Sequence, residues 1–368
     1  MIYELKEICT PLKGTQIDTS LLSDKNPYKY INGGTKESGY HIEANTLGNT
    51  VIVSEGGASC GYVNFIDTDF WCGCHCYKLT EPKVNAKFLY YALKANQDKI
   101  MELRTGAAMP NIKKSTFIHF KLDITNDEKL QKTIVSELDK IQDALANKNE
   151  QLKKLDELIQ SKFYEMFGDP VRNDKGWDVE KLGEIGTLKN GLNFSQNEEG
   201  YSVRLLGVSD FKNRFMIDDI TELSSISLNQ MPSDEFLLKD GDIVFVRSNG
   251  NKKLVGRSLL VYPGDEPTSF SGFCIRFRNC SNDIDNIYLV TCLKTESIRE
   301  KLFGNGANIS NLNQTMLQSL EIPRPPLSLQ QAYTAYVKKV GQAKAIVNQE
   351  IAHLQELLDS RMDFYFRK

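Results

Sequence analysis

Residues 104–117 read RTGAAMPNIKKSTF, and residues 304–316 read GNGANISNLNQTM. The first stretch is too apolar for an ordinary surface loop and too rich in small residues for a core strand. Its recurrence decides the architecture. At an offset of 200, Leu89, Leu93, Lys94, Gly106, Ala107 and Asn111 match Leu289, Leu293, Lys294, Gly306, Ala307 and Asn311. At an offset of 199, Leu155, Glu157, Leu158, Ser161 and Phe167 match Leu354, Glu356, Leu357, Ser360 and Phe366. YELKEI from Tyr3 likewise resembles EKLGEI from Glu180. A repeat that spans half the chain is a duplication of whole domains, not a solenoid of short units.

Read locally, Leu89, Leu93, Ile100 and Leu103 have helical spacing, and Gly106 is expected to end that helix. Pro110 should hold Met109 extended. Asn111 is placed to cap a short helix over 112–116, and an apolar strand should follow over 117–124. The second copy keeps Gly306, Ala307 and Asn311, then LEIP and two prolines that stop the strand.

Each half has two unlike parts. Its first portion carries short β-like runs, among them NTVIVS (49–54), DIVFVRS (242–248) and GFCIRF (272–277), bounded by turn residues. Each half then changes to a long helical pattern. Ile134, Leu138, Ile141, Leu145, Leu152, Leu155 and Ile159 fall on alternating steps of three and four, with Lys148 in the one polar place. Leu329, Tyr333, Tyr336, Val340, Ala343, Val347, Leu354, Leu357 and Phe364 do the same, with Glu350 and Arg361 polar and Gly341 the weak point. Heptads of this length argue for a coiled coil. Two matched helices of ~40 residues, or ~60 Å, can pair with each other, and an antiparallel pair could bring Lys148 to Glu350. Packing of each stripe on its own domain is the alternative. The expected fold is α+β, with two β-rich domains (1–125 and 168–326) joined by two long helices (126–167 and 327–368) in an antiparallel coiled coil with a pseudo-twofold internal repeat.

The 368 residues are 40% hydrophobic and 25% charged, with a net charge of −3. That composition is ordinary for a globular protein. The acidic total means that any nucleic-acid surface is local and balanced elsewhere. No apolar run reaches the ~20 residues needed to span a bilayer. The N-terminus MIYELKEICT has no long apolar core, so a membrane is not expected as a partner and the cytoplasm is the expected compartment. Eight cysteines without framework spacing fit reduced thiols there.

A β-rich domain, a helix, the loop G-A-x-x-x-N-[IL], an apolar strand and a long heptad helix, all occurring twice, resemble the specificity subunit of type I restriction–modification systems. The linker EMFGDPVRNDKGWDVEKLGEIG from Glu165 is similar to that family's passage into its second target-recognition domain. The resemblance covers essentially the whole chain. It implies a subunit without catalysis or cofactor of its own, bound to double-stranded DNA. Each recognition domain would read half of a split site, and the helices would act as a ruler and dock two methyltransferase (modification) subunits. Restriction subunits join where cleavage exists. S-adenosylmethionine and ATP with Mg²⁺ would belong to those partners.

The residues agree with a chain lacking a catalytic set. It has no Asn-Pro-Pro-aromatic or Asp-Pro-Pro-aromatic run, no G-x-x-x-x-G-K-[ST] loop and no G-x-S-x-G elbow. An enzyme with an unrecognised site and a coiled-coil structural adaptor are the rival readings. The run WCGCHCY (71–77) suggests zinc. On one strand, however, its three thiols would stand ~6.5 Å apart, beyond the ~4 Å that tetrahedral Zn–S bonds of ~2.3 Å imply. Buried core cysteines, with His75 on the opposite face, are the expectation.

Base reading needs cations for phosphates and polar forks for base edges. RSNGNKKLVGR (247–257) holds Arg247, Lys252, Lys253 and Arg257 with Asn249 and Asn251 among glycines. Arg suits guanine and Asn suits adenine; a plain basic hairpin tip is the alternative. Lys212, Asn213 and Arg214 form a second candidate. In the first half Asn32, Thr35, Lys36, Tyr40 and His41 could read bases or form a plain polar loop. Glu55, at the place matching Arg247, could accept from a cytosine amine. The aromatic helix ends, Phe163, Tyr164 and Phe167 with Phe364, Tyr365 and Phe366, are candidate docking points for a modification subunit or anchors on the chain's own domains.

Overall fold

The computed structural model describes residues 1–106, 109–195, 198–211, 214–303 and 311–367. The expectations for Ala107, Lys212, Asn213, Gly306 and Ala307 lie outside the described residues. The chain forms two compact units, Met1–Gln151 with Val347–Lys368, and Leu152–Ile346. The long helices Glu128–Phe167 and Leu327–Phe366 each contribute to both units.

In the first unit, Thr10–Lys13, Cys76–Thr80, Thr50–Ser54 and Val63–Ile66 make an antiparallel sheet in that order. Gly39–His41, Tyr28–Ile31 and Phe70–Cys72 make a second sheet, whose last pair is parallel. Val51, Ile52 and Val53 are all buried, as a continuous β-branched run covered on both faces should be. In the second unit, Gly186–Asn190, Cys274–Asn279, Asp242–Val246, Ser258–Val261 and Met216–Ile217 form one sheet. Ser224–Leu228, Tyr201–Leu206 and Thr268–Phe270 form the other. Asp242, buried in the larger sheet, accepts two bonds from Arg278 at 2.8 and 2.7 Å. This pairing, with its hydrogen bonds, holds the guanidinium above its ordinary pKa.

Both units tie their long helix to the β-domain with the same device. The buried Gln131 accepts from Asn85 N at 2.9 Å and donates to Thr125 O at 2.8 Å. The buried Gln330 accepts from Asp285 N at 2.8 Å and donates to Pro325 O at 2.8 Å. Asn85 and Asp285 in turn cap the helices Ala86–Ala95 and Asn286–Leu293. One buried amide thus satisfies both the cap and the connection, which a methylene chain could not.

Within each unit the long helices run antiparallel. In the first, Lys148 pairs with Glu350 at 2.8 Å and Arg361 with Glu137 at 2.9 Å. In the second, Tyr333 donates to Ile159 O at 3.1 Å and Lys344 pairs with Asp156 at 2.5 Å. Ile134, Leu138, Ile141 and Ile159 are buried. The heptad expectation needs correction near the C-terminus. Leu357 and Phe364 are exposed, whereas Met362 and Phe366 are buried in the first unit's core with Leu358 packed against it. Steps of four suit a straight helix lying on a globular core, where the 3.5-residue seam of a coiled coil no longer applies.

Gly341 leaves the helix unbroken, and a Cβ there would meet no atom within 4 Å. Gly341→Ala should therefore stabilise the protein by about 0.5–1 kcal/mol, because helical glycine loses more backbone entropy. Denaturant unfolding reads this as a higher midpoint at unchanged slope.

Candidate nucleic-acid interface

The loop beginning at Arg104 is wired differently from its sequence reading. The helix expected through Leu103 is two helices, Ala86–Ala95 and Gln97–Glu102, parted at Asn96. Gly106, at φ +92°, lies beyond the second helix's Leu103 cap and turns the chain so that Thr105 pairs with Asn111. Asn111 is not a cap: its side chain accepts from Thr105 Oγ1 at 2.9 Å. The short helix is Lys114–Phe117, and the strand that follows is only Lys121–Asp123. In the second copy Asn313, rather than Asn311, caps the helix Gln314–Gln318.

What Asn111 and Asn311 share is a backbone bridge, to Gly56 and to Ser248 respectively. The next residue continues the match. Ile112 N donates to Glu55 O at 2.9 Å, and Leu312 N donates to Arg247 O at 2.8 Å. Glu55 N in turn donates to His75 O at 2.7 Å, and Arg247 N to Phe273 O at 2.8 Å. Gly73 N donates to Ile31 O at 2.8 Å, as Ser271 N does to Leu206 O at 2.9 Å. Gly14 N and Gly191 N each donate at 3.0 Å, to Cys76 O and Cys274 O. Each domain therefore pins three segments together: a strand end, a tight turn and the shared Asn loop. Close approach demands glycine at Gly14 and Gly191, whose Cβ atoms would stand 2.2 and 2.1 Å from carbonyl oxygens.

The side chains on this common frame differ. Glu55 pairs with Lys13 at 2.8 Å and faces His75 at 3.9 Å. Arg247 donates from Nη1 to Gly272 O at 3.3 Å. Thr35, Lys36, Lys252 and Lys253 are exposed, and Tyr40 and Arg257 half-buried. Arg214 pairs with Glu222 at 2.5 Å.

Several candidates do other work. His41 is buried, 4.4 Å from the Trp71 ring, with its Nδ1 3.0 Å from Glu43 N. Its ring is packed against Trp71 and has little surface left to offer a ligand. Asn32 accepts from His75 N at 3.1 Å and so shapes the turn. Asn249 accepts from Asn251 N at 2.8 Å, and Asn251 accepts from Lys253 N at 3.1 Å. Forking to adenine needs an amide's oxygen as well as its nitrogen, and in both residues one lone pair of that oxygen already serves the turn. Among the helix-end aromatics, Phe163, Phe167 and Phe366 are buried in their own domains' cores. Tyr365 packs against the first core and donates to Glu137 at 2.6 Å. Only Tyr164 and Phe364 stand exposed, at 39% and 65%.

The run WCGCHCY is not one strand. Phe70–Cys72 and Cys76–Thr80 belong to different sheets, with Gly73, Cys74 and His75 as the turn between. Cys72 and Cys76 are buried and Cys74 is half-buried. The hydrogen bond with the Cys72 thiol, and then burial, push Cys76 far above the ordinary thiol range. Among the described residues no cluster of three or more His, Cys, Asp or Glu is placed to hold a metal ion. No helix among them is long and apolar enough to cross a membrane. Lys13, His75 and Phe273 adjoin Glu55 and Arg247, and the sequence did not single them out for this surface. The turn glycines Gly73 and Gly272 were the available signal, since glycine inside a strand pattern marks a break or a close approach.

The chain resembles known proteins over this whole frame. The specificity subunit of the type I restriction enzyme StySPI of Salmonella potsdam is 25% identical over 319 residues, covering 80% of this chain and 68% of that protein. A Mycoplasma pneumoniae protein named as a candidate type I specificity subunit is 31% identical over 212 residues. That match covers 54% of each, so it spans about half the relative's length. The crystal structure of the type I S subunit from M. genitalium superposes with a TM-score of 0.60 at 22% identity, covering 100% of this chain and 96% of that one, a likeness of fold. Residues 1–157 and 174–356 match the model of the type I restriction modification DNA specificity domain, and the chain belongs to that family.

Proposed function

We propose that this chain is the DNA sequence-specificity subunit of a type I restriction–modification complex. Each recognition domain binds one half of a bipartite site. The paired helices set the unread spacer and dock two methyltransferase subunits, with Tyr164 and Phe364 the exposed rings for that contact. S-adenosylmethionine, and ATP with Mg²⁺ where restriction subunits join, are bound and used by those partners. The observation that carries the reading is the common frame. The same backbone bonds hold Glu55 in one domain and Arg247 in the other. A fixed scaffold with exchanged polar side chains suits two readers of different bases.

Selection from randomised duplexes with the methyltransferase subunits present tests this. Two short specified blocks separated by a fixed, unspecified gap are expected. A single contiguous motif, or no enrichment, would overturn the reading and favour an adaptor. Turnover by the isolated chain would favour an enzyme.

A further inference from the structure

The frame singles out a second pair of positions. Phe273 sits in the turn between Thr268–Phe270 and Cys274–Asn279, and His75 sits in the turn between Phe70–Cys72 and Cys76–Thr80. Both turns are closed by the same bond, Cys76 N to Gly73 O at 3.1 Å and Cys274 N to Ser271 O at 2.8 Å. Both rings project from locked backbone yet remain open, Phe273 at 63% and the His75 side chain at 55%. An aromatic ring exposed to this degree adds nothing to its own core. Each also adjoins the polar residue of its domain. His75 O accepts from Glu55 N, and Phe273 O accepts from Arg247 N.

We propose that His75 and Phe273 are specificity-determining residues, each contacting the base pair next to the one met by Glu55 or Arg247. This rests on the specificity-subunit reading above. The spacing supports adjacency: the Glu55 carboxylate and the His75 ring are 3.9 Å apart, close to the ~3.4 Å rise between base pairs. The chemistry differs between the domains. His75 can donate to or accept from a base edge. Phe273 has neither a donor nor an acceptor, so it selects the apolar group of the major groove, the thymine methyl.

The test is selection from randomised duplexes by complexes carrying the intact chain, H75A or F273A, each assembled with the methyltransferase subunits. F273A is expected to lower the preference for thymine at one base pair of one half-site by about fourfold, the worth of one buried methyl. That base pair should neighbour the one relaxed by R247A. H75A should relax one base pair of the other half-site. Binding by the intact chain to duplexes with uracil in place of that thymine should fall by the same factor, and binding by F273A should not. Variants that keep every specified base, lose affinity equally on all sequences, or both act on one half-site would overturn the proposal while leaving the split site standing. An intact chain that selects no split site would overturn the function and this inference together. Both rings are largely exposed, so thermal unfolding should match that of the intact chain.

Discussion

Inserting one heptad into each long helix is expected to widen the unread gap by about three base pairs and abolish modification of the original site. Seven residues add about 10.5 Å of helix at 1.5 Å each, and B-DNA rises about 3.4 Å per base pair. A whole heptad keeps the apolar seam facing its partner, where three or four residues would rotate it away. Insertions after Gln151 and after Ile346 lie inside the continuous helices Glu128–Phe167 and Leu327–Phe366. They leave the buried ties at Gln131 and Gln330 intact. The same selection from randomised duplexes reads the result. Both half-sites should persist at the new spacing, with weaker binding because three base pairs also turn one half-site about a third of the way round the duplex. An unchanged gap, or an altered half-site, would sink the ruler.

Arg247→Ala should cost about 1–3 kcal/mol, roughly five- to 150-fold, at one half-site and leave the other intact. The substitution is clean because the backbone of Arg247 is held from both sides, by Phe273 O and by Leu312 N, each at 2.8 Å. Removing the guanidinium takes away a bond of 3.3 Å to Gly272 O, which is long beside the charge-assisted norm. The loss should therefore fall on DNA more than on folding. Selection profiles and salt titrations together decide its role. A loss confined to one base pair marks a guanine reader. An equal loss on all sequences, with a shallower salt dependence, marks a phosphate contact.

The scaffold was legible because it repeats. The periodicity of Ile134, Leu138, Ile141 and Ile159 pointed to the buried face of the helix, since helical spacing alone puts them on one side. Lys148 and Glu350 stood out as its polar places, and the ion pair between them follows from the antiparallel register. The end of the second helix was not legible. Leu357 and Phe364 continue the heptad, yet Met362 and Phe366 are the buried ones, because a globular core rather than a partner helix receives that end.

The candidate interface was less legible for a different reason. Residue type made His41 and the asparagines candidates, and the structure gives them partners within the chain: His41 is buried beside Trp71, and Asn249 and Asn251 accept from turn N–H groups. Polar side chains serve local backbone and distant ligands with the same atoms, and sequence does not say which. The sequence alone determined the duplication and the long helices. Only the tertiary structure decided which segments of each domain meet. RTGAAMPNIKKSTF and its second copy are bonded along their Asn ends to the strand ends bearing Glu55 and Arg247, which in turn hold the turns of His75 and Phe273. Those contacts join segments far apart in the chain through backbone hydrogen bonds, which any residue but proline can make, so no side-chain pattern records them.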